Sequence, residues 1–168
     1  MPRMKTTLLA AMIMFASVGT ARAGGQPNSI GVGAELQISG VGGLSINYDA
    51  GKFHAGGFFG YFDPQGPNNS TVDVGGRFFF HIASTATSDF SLGGSIGIEN
   101  ANDANNPNNR HTDVFLEPSF QIRAFIVSNV ALSFTGGIVI GAADISELDL
   151  TSNTSGRVTG MAGIHYYF

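Results

Sequence analysis

The 168-residue chain contains no cysteine, and charged residues make up only 12% of it. The lack of cysteine excludes disulfides, thiolate metal sites and cysteine nucleophiles together. Basic residues are fewer than acidic ones, eight against twelve, which argues against a nucleic acid or an anionic surface as a partner bound through charge. The 24 glycines and 14 phenylalanines suit neither a disordered chain nor a helical one.

The first residues have the pattern of a secretory signal peptide. Arg3 and Lys5 precede an apolar run over residues 8–15, and a small-x-small site ends at Ala23. The run is shorter than the about 20 residues that a spanning helix needs. We therefore predict a signal peptide over residues 1–23, with an uncleaved anchor as the alternative. No later stretch reaches 18 continuous apolar residues, so no transmembrane helix is predicted downstream.

Residues 24–168 are predicted to form one domain, with five basic and twelve acidic residues and a net charge of −7. At its C-terminus the even positions from Val158 to Phe168 are apolar or small, and the odd positions include Arg157 and His165. A period of two predicts a β-strand with one apolar and one polar face. Seven further segments alternate similarly. The predicted strands are Ile30–Ile38, Gly42–Ala50, Phe53–Tyr61, Val72–Ile82, Phe90–Ile98, Val114–Ile126, Val130–Ile140 and Arg157–Phe168.

Eight alternating strands without a spanning helix leave a closed barrel as the way to cross a membrane. We predict an all-β fold, an eight-stranded antiparallel up-and-down transmembrane β-barrel. The connections at residues 63–70, 101–111 and 143–156 are long and polar, and they alternate with short ones. Because outer-membrane barrels carry long loops outside and short turns in the periplasm, both termini of the mature chain are predicted to be periplasmic.

The lengths of the short turns agree with the faces of the strands. An odd loop at residues 39–41 keeps the apolar phase, an even loop at residues 50–51 changes it, and an odd loop at residues 127–129 keeps it. Asp49 and Lys52 are predicted to lie opposite each other. Pro118 cannot donate to the strand ladder, so we expect a local bulge there.

With these features the mature chain resembles the small OmpA-like and OmpX-like outer-membrane β-barrels. The best local matches are the turn at residues 125–133 and the final Tyr166-Tyr167-Phe168. The resemblance implies that Phe168 is an assembly signal, recognised by the barrel assembly machinery through the C-terminal strand. Relatives include structural anchors, adhesins, attachment and resistance proteins and lipid-modifying enzymes. The fold therefore does not choose the function.

Several charged residues are predicted to face the barrel interior, which in an eight-stranded barrel is just wide enough for side chains. Buried charges must be paired. We predict that three arginines pair with inward glutamates in a polar network that plugs the lumen. The members of this network are Glu35, Arg77, Glu99, Glu117, Arg123 and Arg157. Many inward positions are glycine, which either leaves room for water or a ligand or relieves crowding.

The sequence predicts no catalytic, cofactor or metal site. Outer-membrane lipid A deacylases carry a His-x-Ser-Asn stretch, whereas His165 is followed by Tyr166-Tyr167-Phe168. His54, His81 and His165 fall on different strands without a serine at informative spacing. A metal pair of His111 and Asp113 is equally weak, because such spacing recurs by chance.

We therefore predict a monomeric outer-membrane protein with a structural or surface-interaction role, in contact with lipid and lipopolysaccharide. A narrow pore or a small-ligand-binding barrel is the alternative, and a lipid-modifying enzyme is the third. Residues 143–155 combine acidic and apolar side chains, which suits a plain surface loop, contact with a partner, or lipopolysaccharide through bridging divalent cations.

The C-terminal aromatic gives the first testable prediction. A soluble protein should tolerate deletion of Phe168, because termini are generally tolerant of change. In an outer-membrane barrel the same deletion should lower the heat-modifiable folded band in outer-membrane fractions and raise the periplasmic or degraded fraction. Accumulation of both wild type and the deletion variant as soluble periplasmic protein would contradict the barrel.

Overall fold

The computed structural model describes residues 27–63, 70–102, 109–142 and 155–168, without the side chains of residues 142 and 155–157. The predicted signal peptide and most of the three long connections lie outside the described residues. Eight strands follow one another along the chain. They are β1 (Ser29–Gln37), β2 (Gly42–Asp49), β3 (Phe53–Phe62), β4 (Thr71–Ser84), β5 (Ser88–Asn102), β6 (Arg110–Val127), β7 (Val130–Ala142) and β8 (Ser155–Tyr167).

Each strand pairs antiparallel with its neighbours in sequence, and β1 pairs with β8, so that the sheet closes into a barrel. This confirms the predicted eight-stranded antiparallel barrel. Among the described residues no helix is long and apolar enough to span a membrane. At the closing seam, Gly31 lies opposite Tyr167, and the backbones of Ile30 and Phe168 exchange two hydrogen bonds of 3.1 and 3.0 Å. The closure leaves no free sheet edge among the described strands.

The two faces of the barrel differ as the alternation predicts. The large hydrophobic side chains point outward and are exposed, among them Leu44, Phe59 and Ile138. The buried interior instead holds many polar groups, including Glu35, Arg123 and other charged side chains. The distribution is the reverse of a soluble protein and gives an apolar outer surface around a polar lumen.

Two short turns each lie one residue away from their predicted positions. Gln37 N–H donates to Val41 O at 2.8 Å, so the first turn holds residues 38–40 with Gly40 at φ +99°, not residues 39–41. The second turn is Gly51-Lys52, closed by a bond of 2.8 Å from Ala50 N–H to Phe53 O. Each turn moves by one residue, so the register between the paired strands changes by two, and every side chain keeps its predicted face.

This shift in the second turn changes which residues face each other. Asp49 lies opposite His54 and not opposite Lys52. The third turn has the predicted register, with Phe125 opposite Ala131, although a bulge between Phe125 and Val127 shortens it to residues 128–129.

The prediction of a bulge at Pro118 is wrong. Pro118 lies opposite Gly94, and the register with β5 is continuous on both sides of it. Pairing with β7 passes over Glu117 and Pro118 and resumes at Ser119 in the same register. The missing proline N–H thus interrupts the ladder to one neighbour without inserting a residue.

For outward residues, the cost of a substitution by arginine should depend on their depth in the bilayer. Phe120 points outward against Phe90 and Phe134. Phe120→Arg near the bilayer midplane should cost about 2–4 kcal/mol of unfolding free energy, whereas Ile126→Arg, close to the turn, should cost about 0–1 kcal/mol. Reversible urea unfolding in lipid vesicles measures both values. Equal losses for the two variants would contradict the predicted position of the apolar band.

Candidate functional site in the barrel lumen

The centre of the lumen is held by an ion pair between β1 and β4. Arg77 donates from Nη1 and Nη2 to the two carboxylate oxygens of Glu35, at 2.6 and 2.7 Å. Both side chains are buried. The guanidinium also lies over the ring of Phe58, 4.7 Å from its centroid. Two parallel charge-assisted hydrogen bonds fix the orientation of both groups as well as their charge balance.

His165 on β8 joins this pair. Its Nε2 lies 2.6 Å from Ser45 Oγ and 3.2 Å from Glu35 Oε1. In a catalytic triad the base uses two different nitrogens, one for the nucleophile and one for the orienting acid. Here serine and carboxylate meet the same nitrogen, and Nδ1 has no hydrogen-bond partner among the described residues. The three groups therefore lack the geometry that would activate Ser45.

At the end of the barrel that carries the short turns, a second arginine, on β6, contacts side chains on three other strands. Arg123 Nη2 lies 2.7 Å from Asp49 Oδ2 on β2 and 2.7 Å from Asp89 Oδ2 on β5. Arg123 Nη1 donates to the hydroxyl of Tyr167 on β8 at 3.0 Å. The predicted pairing of Arg123 with a glutamate from β1, β5 or β6 is wrong, because its carboxylate partners are two aspartates.

Two histidines lie beside Arg123. His81 Nε2 is 3.0 Å from Arg123 Nη2 and 2.9 Å from His54 Nδ1, and His81 Nδ1 is 3.1 Å from the carbonyl oxygen of Gly51. One ligand atom each from Asp49, His81 and Asp89 lies within 4.8 Å of the others, a spacing that suits a cation. The guanidinium of Arg123 lies in contact with all three groups, so an arginine supplies the positive charge there.

The remaining predicted network members lie toward the end with the long connections. Glu99 and Glu117 line a cavity together with Asp73 and Arg77. Its volume is about 30 Å³, room for one or two water molecules. Gln37 donates to Asp73 Oδ2 at 3.1 Å from the opposite wall. The side chain of Arg157 lies outside the described residues.

Aromatic or imidazole rings lie directly over several inward glycines. A Cβ on Gly31 would come within 2.6 Å of the Tyr167 ring, and one on Gly33 within 2.5 Å of the His165 ring. Gly75 bears the same relation to Phe58 and Gly97 to Phe115, at 2.5 and 2.7 Å. Of the two interpretations of inward glycine, the structure supports relief of crowding, because side chains from other strands occupy the space.

Sequence reasoning missed Asp49, Asp89 and Ser45 as members of the lumen network. Asp89 precedes the predicted fifth strand, which begins at Phe90, yet it lies opposite Arg123 within the β5–β6 ladder. The prediction places Asp49 opposite Lys52 because it sets the second turn at residues 50–51, one residue too early. The register of the β2–β3 hairpin would identify Asp49, and the register of the β5–β6 hairpin would identify Asp89.

The solved structures that are similar to this chain include two barrels. The N-terminal β-barrel domain of OprF from Pseudomonas aeruginosa is 12% identical, with a TM-score of 0.64 over 84% of this chain and 98% of that one. Neisserial surface protein A is 11% identical, with a TM-score of 0.51 over 83% of this chain and 95% of that one. No protein-family model and no curated protein matches the sequence. The chain thus has the fold of the small eight-stranded outer-membrane barrels.

Two glycines form a matched pair for testing how tightly the lumen is packed. A Cβ on Gly33 would meet the His165 ring and, even closer, the carbonyl oxygen of Ile164, whereas one on outward Gly76 would meet nothing nearer than 3.6 Å. Gly33→Ala should therefore destabilise by about 1–3 kcal/mol or more. Gly76→Ala should be neutral or stabilising by up to about 1 kcal/mol. Urea titration of the heat-modifiable band checks both, and a tolerated Gly33→Ala would contradict the packed lumen.

Proposed function

We propose that the chain is an outer-membrane β-barrel whose lumen is plugged by its own polar side chains and whose role is structural or surface-interacting. The observation that carries this proposal is the pairing of Arg77 with Glu35 and of Arg123 with Asp49 and Asp89, all buried inside the barrel. Breaking a buried pair by removing one partner typically costs about 3–5 kcal/mol. Side chains held this firmly leave little freedom to open a path.

The dimensions of the lumen favour the plug over the narrow pore or ligand-binding barrel. The cavity beside Arg77, about 30 Å³, is far smaller than the about 300–1,000 Å³ typical of small-molecule pockets. The rings of Phe58 and Phe115 lie across the lumen next to it, with centroids 6.3 Å apart. A solute that entered would have to displace both rings and the ion pair behind them.

A lipid-modifying enzyme receives less support. Ser45, His165 and Glu35 face the lumen, whereas the acyl chains of a lipid would contact the outward face. Ser45 and His165 are both buried. A substrate chain on the outer surface would therefore be separated from Ser45 Oγ by the sheet itself.

The outer end of the barrel has features that suit a surface role. β5 and β6 are the longest strands, with 15 and 18 residues. Near their outer ends Arg110 donates to the side chains of Asn100, Asn102 and Ser70, at 2.8, 3.2 and 3.0 Å. It also donates to the carbonyl oxygens of Ser70 and Asn100, both at 3.3 Å. All five guanidinium N–H groups are thereby used to hold the base of two long connections.

We place the protein in the bacterial outer membrane as a monomer, with both mature termini and the short turns in the periplasm and residues 1–23 removed as a signal peptide. Its apolar outer face suits lipid and the acyl chains of lipopolysaccharide. Phe168, whose side chain points outward and is 69% exposed, suits recognition of the C-terminal strand by the barrel assembly machinery. The long connections then face the outside of the cell.

Conductance in planar lipid bilayers tests the plug. Folded wild type, identified by heat-modifiability, should give no current steps above a protein-free bilayer. The double variant Glu35→Ala with Arg77→Ala removes both charges of the pair together, so that neither is left without the other, and it should raise conductance. Regular steps from the wild type would contradict the plug and favour the pore.

A further inference from the structure

Five side chains at the turn end of the barrel form a compact ionisable cluster, which we call the His81 cluster. It is made up of Asp49, His54, His81, Asp89 and Arg123. Asp49, His54, Asp89 and Arg123 are buried, whereas His81 is partly exposed. Solvent protons therefore reach the cluster through His81.

The partners of His81 define its protonation state in this arrangement. The Gly51 carbonyl oxygen, 3.1 Å from Nδ1, only accepts, so Nδ1 carries a proton. The Arg123 guanidinium, 3.0 Å from Nε2, only donates, so Nε2 carries none. His54 must then donate from Nδ1 to the same Nε2 at 2.9 Å. The observed contacts thus require a neutral His81.

The count of donors and acceptors shows what a proton would change. Arg123 Nη2 has two N–H groups but three acceptors within 3.0 Å: the carboxylates of Asp49 and Asp89, and His81 Nε2. A proton on Nε2 turns His81 from the third acceptor into a further donor. One ring nitrogen of His81 lies within 4.8 Å of a carboxylate oxygen of Asp49 and of Asp89, so both carboxylates are near enough to attract a protonated ring.

We propose that His81 makes this end of the barrel acid-sensitive by exchanging its partner. Protonation ends the contact of His81 with Arg123, because two cationic groups that only donate then face each other, and the imidazolium competes with Arg123 for the carboxylates of Asp49 and Asp89. Because Arg123 joins β2, β5 and β8 to β6, this exchange loosens the crossing between these strands. The plug is then firm at neutral pH and weaker in acid.

The other groups around His81 bear on this exchange. Tyr167 holds Arg123 through Nη1 at 3.0 Å, which keeps the guanidinium in place while its Nη2 side is exchanged. Lys52, in the turn next to His81, is exposed and screened by solvent. Arg77, on the same strand as His81, is paired with Glu35. The charged and titratable groups facing His81 are Asp49 on β2, His54 on β3, Asp89 on β5, Arg123 on β6 and Tyr167 on β8.

Nitrogen NMR of histidine- and arginine-labelled protein, folded in detergent micelles, tests the partner exchange directly. The range from about pH 8 to about pH 5.5 titrates histidine while carboxylates stay mostly ionised. At pH 8 His81 should show the neutral form protonated at Nδ1. On acidification the doubly protonated fraction should rise while the Arg123 Nη resonances shift in step. A neutral form protonated at Nε2, or titration of His81 without a change at Arg123, would overturn the proposal.

Unfolding kinetics supply a second measurement with a matched control. Because the observed arrangement requires neutral His81, acid favours states without it and stability falls as the pH falls. Wild type should unfold in urea about tenfold faster at about pH 5.5 than at about pH 8, the effect of about one pK unit of differential interaction. His81→Gln, which cannot be charged, should reduce this dependence, whereas the buried His54 and His165 keep their share of it. His111→Gln, at the opposite end beside Asp113, should keep it. An undiminished dependence in His81→Gln, or its loss in His111→Gln, would refute the proposal.

Discussion

The pairing of charges inside a narrow barrel is the constraint on which the rest of this structure depends. Eight strands enclose a space that side chains fill, and an unpaired charge in it would cost several kcal/mol. Arg77 is paired with Glu35, which lies three strands away, and Arg123 is paired with Asp49 and Asp89. Each arginine therefore links strands that the backbone ladder alone does not join.

Glycine and aromatic residues complement these pairs. The space over inward glycines is filled from neighbouring strands, as where the Tyr167 ring lies over Gly31 and the Phe115 ring over Gly97. Outward Gly76 has no such neighbour, so crowding explains the inward glycines and not all glycines in the chain. Together, rings and ion pairs account for a lumen whose described cavity holds only one or two water molecules.

The fold could be predicted because its signal repeats along the whole chain. Apolar and polar residues alternate along each strand. An error of one residue in the position of a turn, as at Gly40 and Gly51, changes the strand register by two and leaves both faces unchanged. The candidate site was less predictable. Arg77 and Glu35 were assigned to the lumen, but the partners of Arg123 depended on the register near Asp49 and on the true start of β5 before Asp89. Pro118 shows the same limit, since proline signals a missing donor but not whether a residue is inserted.

The sequence by itself determined the number of strands, their order and the face of each side chain, because a period of two is a local property that each segment carries independently. Only the tertiary structure decided which inward groups meet. Ser45 and His165 are 120 residues apart, and Arg123 and Asp49 are 74 apart. Such contacts follow from the closure of the barrel and the stagger of its strands, which are properties of the whole sheet. No local pattern encodes them.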